Sequence, residues 1–192
     1  MSGQSASAIQ AAKDLAKLNG NTAMLSMALI RFGRFDEVLQ IKDEPNGEVN
    51  RSMYDFSRGY AFLKEGNIEA ARAILDSLQD LTKTTAARFR FHAGKDIVGA
   101  MAGILEGEIA WSEGKMEAAV DAFKKSTSFY ENLNYDEPEP LPFSPRHWLG
   151  AAYMEIGAHS NALEEYKKDF GFSESINKFF STYKYSDEML GY

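Results

Sequence analysis

The sequence predicts an all-α fold of about four helical hairpins, with an extra helix at the N-terminus and a short capping helix at the C-terminus. Three observations carry this. Gly33, Gly66, Gly114 and Gly157 each follow an amphipathic stretch, and each is followed five residues later by a small apolar residue: Val38, Ala71, Ala119 and Ala162. Seven residues before them stand Ser26, Gly59, Gly107 and Gly150, and four before stand Leu29, Phe62, Ala110 and Tyr153. Nine after, the last three repeats place Leu75, Phe123 and Tyr166, whereas the first has Lys42. With 15 glycines in 192 residues, three extra glycines falling in register by chance has a probability of roughly one in two thousand, so the pattern is a repeat.

Each marker glycine is expected to end the first helix of a hairpin in the left-handed conformation, where a β-carbon is disfavoured. The small residues before and after it let the two helices approach closely, and the large apolar residues fill the space between them. One domain results, with hairpins over about 22–44, 52–80, 97–130 and 144–169. An additional amphipathic helix over 6–18 stops at Asn19-Gly20, and a short helix over 174–183 covers the far end. The marker glycines are spaced by 66 − 33 = 33, 114 − 66 = 48 and 157 − 114 = 43 residues, so the last two intervals carry insertions, at about 81–96 and 134–143. Thr82-Lys83-Thr84-Thr85 reads as a break in the first. The second holds Pro138, Pro140 and Pro142, with Pro145 just beyond. It reads as an extended, polyproline-like spacer with Arg146 paired to Asp136 or Glu137.

The sequences Gly59-Tyr60-Ala61-Phe62, Gly107-Glu108-Ile109-Ala110 and Gly150-Ala151-Ala152-Tyr153, each ending in a glycine four residues on, resemble the tetratricopeptide repeat (TPR). That resemblance implies a right-handed superhelix whose first helices line a concave face. Two further strings, Arg31-Phe32-Gly33-Arg34-Phe35-Asp36-Glu37 and Tyr135-Asp136-Glu137-Pro138 followed by Arg146-His147 and Leu149-Gly150, resemble an uncharacterised bacterial family of such repeat proteins. The resemblance spans 31–169 and implies no established activity. After Asp169 the family's Pro-Asn-Gly-Trp continuation is replaced by Phe170-Gly171-Phe172-Ser173.

Composition narrows the function. A net charge of −7 argues against broad electrostatic binding of nucleic acid or anionic membrane. The absence of cysteine removes disulfides, thiolate catalysis and thiolate metal sites. The N-terminus has no signal-peptide pattern, and the longest apolar run, 97–105, is too short to span a bilayer, so a cytoplasmic location is the expectation. His92, His147 and His159 show no metal-ligand spacing. His92 and His159 read as packing residues, and His147 as a groove residue. Neither phosphate-binding loops nor a serine elbow is present, and no cofactor or metal is expected.

What remains is the concave face. Helix register places Met53, Phe56, Tyr60 and Leu63 on it from the second hairpin, Met101, Ile104, Glu108 and Trp111 from the third, and Ser144, His147, Ala151 and Met154 from the fourth. Methionine and aromatic side chains suit a partner helix or an apolar peptide, and the lysines and asparagines of a chaperone-tail clamp are absent. The expectation is a non-catalytic protein-interaction module holding an unidentified protein or peptide. The alternative is a self-associating scaffold. A third reading is an enzyme with His147, Arg146 and Glu137 around a small pocket.

Overall fold

The computed structural model describes residues 4–170, so the expected capping helix at 174–183 lies outside the described residues. Of the described residues 72% are helical, in an all-α repeat fold. Backbone contacts divide the chain into two compact units, Met1–Pro145 and Arg146–Tyr192.

In the first unit, α1 (Gln4–Asn19) packs on α2 (Ala23–Arg31), and three hairpins follow: α2 with α3 (Phe35–Gln40), α4 (Glu48–Lys64) with α5 (Ile68–Thr84), and α6 (Gly94–Ser112) with α7 (Met116–Tyr130). The first helices of successive hairpins are neighbours, α2 against α4 and α4 against α6. The second unit holds the hairpin of α8 (Arg146–Glu155) and α9 (His159–Asp169). Gly33, Gly66, Gly114 and Gly157 sit in the four turns with φ of 70°, 85°, 75° and 75°, the left-handed region that favours glycine. Asn67 caps α5 by accepting the Ala70 amide.

Three local features depart from the sequence reading. Helix α3 is only six residues long. It stops where Lys42, Asp43 and Glu44 offer no apolar face and Pro45 disfavours a helical residue before it. Helix α5 runs through Thr82 to Thr84 and ends at Thr85. The first insertion, expected to be free of sheet, forms a small antiparallel pair, β1 (Arg88–Phe89) with β2 (His92–Ala93). Its two-residue turn holds Arg90 at φ 54°, since tight hairpin turns match strand twist only with positive φ.

Helix α6 is the centre of the first unit, buried continuously from Asp96 to Leu105 and contacting α4, α5, α7 and β2, the pattern of a largely enclosed helix. Its glycines set the distance to α7. A β-carbon would lie 2.7 Å from the Phe129 ring at Gly99 and 2.6 Å from Ser126 Cβ at Gly103, and at Gly107 it would clash with the edge of the Phe123 ring. In the second unit Gly150 stands against Tyr166 in the same way, at 2.5 Å. Gly59 differs, meeting Ile74 and Leu105 rather than Leu75.

Gly107→Leu therefore overpacks a rigid aromatic contact and should cost at least about 1 to 3 kcal/mol, a fall in Tm of roughly 2 to 12 °C for a chain of this size. Gly66→Ala, whose β-carbon meets nothing, should lose only about 1 to 2 kcal/mol through its left-handed backbone. Equal melting shifts for the two variants in a thermal scan would contradict the close-packing role.

Candidate functional site

The face built by α4 and α6 is largely occupied. Met53, Phe56, Met101 and Ile104, read as an open wall, are fully buried. On α4 the Phe56 ring lies 5.8 Å from Phe143 and 6.0 Å from Tyr60. Phe143 belongs to the proline-rich second insertion, which is thus laid against the wall. The same segment buries Leu141 completely, and its Pro142 carbonyl accepts a hydrogen bond from the Arg31 guanidinium at the end of α2.

The other end of the segment is held by the β1–β2 turn. Arg90 donates to the Asp136 carboxylate and, at 2.7 Å, to the Pro138 carbonyl. His92 Nε2 stands 3.0 Å from the same Asp136 oxygen. An ionised carboxylate only accepts, so the imidazole donates through Nε2. His92 is fully buried and, among the described residues, its Nδ1 has no partner and Asp136 is the one group its ring engages by hydrogen bonding. Tyr130, at the end of α7, donates to Glu139 at 2.9 Å. Burial works against the charge on Asp136, but the hydrogen bonds from His92 and Arg90 outweigh it and hold the carboxyl below its ordinary value.

These contacts correct the expected loop geometry. Asp136 is engaged by Arg90 and His92, and Glu137 by the Tyr135 hydroxyl; within the second unit Arg146 is engaged by Glu165. The segment is bent at 137–138 and 140–143 rather than uniformly extended, and the Glu137–Pro138 peptide is cis. Arg90 was not singled out by the sequence. Its signal was faint, since a tight turn rarely takes an arginine at positive φ, a conformation that costs roughly 1 to 3 kcal/mol and persists only where surroundings fix it.

Further along, the wall is half-open. Tyr60 is partly exposed, with its ring 6.1 Å from Phe35 and its hydroxyl donating to Glu108 at 3.0 Å. Lys64 also binds Glu108 and lies 5.0 Å above the Tyr60 ring. Trp111, three residues past Glu108 on α6, is partly exposed and meets Phe123 edge-on at 6.3 Å. Leu63 is buried.

In the second unit, His147 is largely exposed, with Nε2 2.6 Å from Asp169. Ala151 is half-buried and Met154 is exposed. His159, read as a packing residue, is exposed, because it begins α9 at the turn end of the hairpin. Among the described residues no group of three or more His, Asp or Glu side chains is arranged to hold a metal. No helix among them is long and apolar enough to cross a membrane.

Residues 104–133, which comprise most of the α6–α7 hairpin, match the family described as Tetratricopeptide repeat. Comparison with curated proteins and with solved structures gives no match. The chain therefore contains a tetratricopeptide repeat.

Two outcomes follow for the segment. The lowered Asp136 value means that the ionised carboxylate favours the docked state. Docking is fully supported above the carboxyl's undocked pKa and lost as pH falls through the lower docked value. The Asp136 carboxyl carbon, followed by NMR, should titrate below the ordinary carboxylate range, and Arg90→Ala should move it upward. Arg90→Gly should relieve the turn backbone while freeing the segment. Faster amide exchange confined to 134–143, with no fall in Tm beyond about 3 °C, is the expected result.

Proposed function

We propose that this tetratricopeptide-repeat chain is a non-catalytic protein-interaction module that takes a peptide or partner helix along the wall of α4 and α6. The observation that supports this reading is the half-open row of Phe35, Tyr60, Glu108 and Trp111. It joins three hairpins, combines large aromatic area with a carboxylate and the Lys64 ammonium, and is only partly covered by the chain itself. Rigid aromatic side chains give up little entropy on binding and dominate interface energetics. Met53, Phe56, Met101 and Ile104 form the buried floor that fixes this row. His147, Ala151 and Met154 belong to the second unit and are proposed as a separate contact region.

Peptides selected from a random display library against the full chain provide the probe. Trp111→Ala and Tyr60→Ala should each weaken the selected peptides by about 1 to 4 kcal/mol while lowering Tm less than Gly107→Leu. Unchanged affinity with a large loss of stability would make both residues core and remove the support for the reading.

Self-association is the second reading. Met154, Ile156 and Leu163 of the last hairpin are 49%, 46% and 54% exposed, and exposed apolar patches commonly mark interfaces. Light scattering should then show a multiple of 21.4 kDa that falls to the single-chain mass in Leu163→Glu.

A further inference from the structure

The contacts described between the segment over 134–143 and the rest of the first unit are ones that a separate peptide could make. Its Asp136 carboxylate meets a guanidinium and an imidazole. Its backbone is read at two carbonyls, Pro138 by Arg90 and Pro142 by Arg31. Its apolar end sinks Leu141 and packs the Phe143 ring at a tilt against Phe56. The anchors come from α2, α4 and the β1–β2 turn, up to 111 residues distant in sequence. Proline-rich chain suits such reading, because proline nitrogens carry no donor and the carbonyls are left available to external ones. Charge is complementary as well. The segment carries Asp136, Glu137 and Glu139, while the groups facing it include Arg31, Arg90 and His92, cationic or donor groups in a chain of net charge −7.

We propose that this segment is a resident pseudo-ligand, and that the wall's partner is an acidic, proline-containing, non-helical peptide with a carboxylate seven positions ahead of an aromatic residue. The partner displaces the segment and takes over Arg90, His92, Arg31 and Phe56. This rests on the interaction-module reading and names the chemistry of its partner. A tethered ligand acts at a high effective concentration, often in the millimolar range, so the intact chain holds its wall closed to weak competitors and opens it to a partner that makes the same contacts and reaches Tyr60 and Trp111 besides. Partner binding and release of the segment are then one equilibrium.

The test uses the full chain and a fluorescein-labelled synthetic peptide of residues 134–145. In one variant, residues 135–143 are replaced by a Gly/Ser stretch of equal length. In a second, Asp136→Asn and Phe143→Ala are combined, so that a folded protein with a weakened segment is available if the first variant fails to fold. By fluorescence anisotropy the peptide should bind the variants at least tenfold more tightly than it binds the wild-type chain. Adding Arg90→Ala to the variant, or Asp136→Asn to the peptide, should lose about tenfold. Absence of binding to a variant whose circular dichroism matches the wild type would overturn the proposal. So would a wild-type dimer, seen by light scattering, that Phe143→Ala dissociates, since the wall would then be filled by a second copy. If peptide binding fails while library peptides still depend on Trp111, the pseudo-ligand is refuted and the interaction module stands. If the peptide binds but Trp111→Ala and Tyr60→Ala alter no library peptide, the open row is refuted and the segment's site stands.

Discussion

The close approach of α7 to α6 is the constraint on which the first unit depends. Gly99, Gly103 and Gly107 lie four residues apart and so share one face of α6, and each leaves room for a group of α7: Phe129, Ser126 and Phe123. Had any of them carried a side chain, α7 would stand off and leave voids, and interiors at native density tolerate few. With α7 drawn in, α6 is enclosed on its remaining sides by α4, α5 and β2. That enclosure is why Ile97, Met101, Ile104 and Leu105 show no exposed surface.

The rigidity of α6 fixes what lies on it. Glu108 projects from its last turns to receive the Tyr60 hydroxyl and Lys64, tying the third hairpin to the second at the point where the wall is still half-open. At the other end, the strand pair that leads into α6 presents Arg90 and His92 to the proline-rich segment. The segment thus lays Phe143 on Phe56 and buries its own Leu141. An exposed Phe56 would be an aggregation hazard as much as a binding surface. A segment of the same chain covers it, held by this apolar contact together with the Asp136 carboxylate and the Pro138 and Pro142 carbonyls.

The repeat was legible because its determinants are local and periodic. A glycine at a fixed distance from a small residue and a large one reports turn, close approach and packing partner within about 16 residues. The turns at Gly33, Gly66, Gly114 and Gly157 and the packing of Gly107 on Phe123 and of Gly150 on Tyr166 follow from that spacing. Gly59 shows the limit. Its nearest neighbours, Ile74 and Leu105, include a residue from the next hairpin, and contact between hairpins depends on how helices stack rather than on any distance along the chain.

The candidate site was legible only in outline. Helix register named Met53, Phe56, Tyr60, Met101, Ile104, Glu108 and Trp111 for one face, but register says which side a residue is on and nothing about what covers it. Arg90 had no signal in the pattern, because ion pairs and long-range hydrogen bonds carry no periodicity: Arg90 meets Asp136 across 46 residues, and Arg31 meets the Pro142 carbonyl across 111. By itself the sequence determined the helical hairpins, their turns and the close contacts within them, since short-range sterics at glycine and apolar periodicity leave few alternatives. Tertiary structure decided that the proline-rich insertion lies across the wall and which cations hold it there, because those contacts form only once separate hairpins and a strand turn have been brought to one surface.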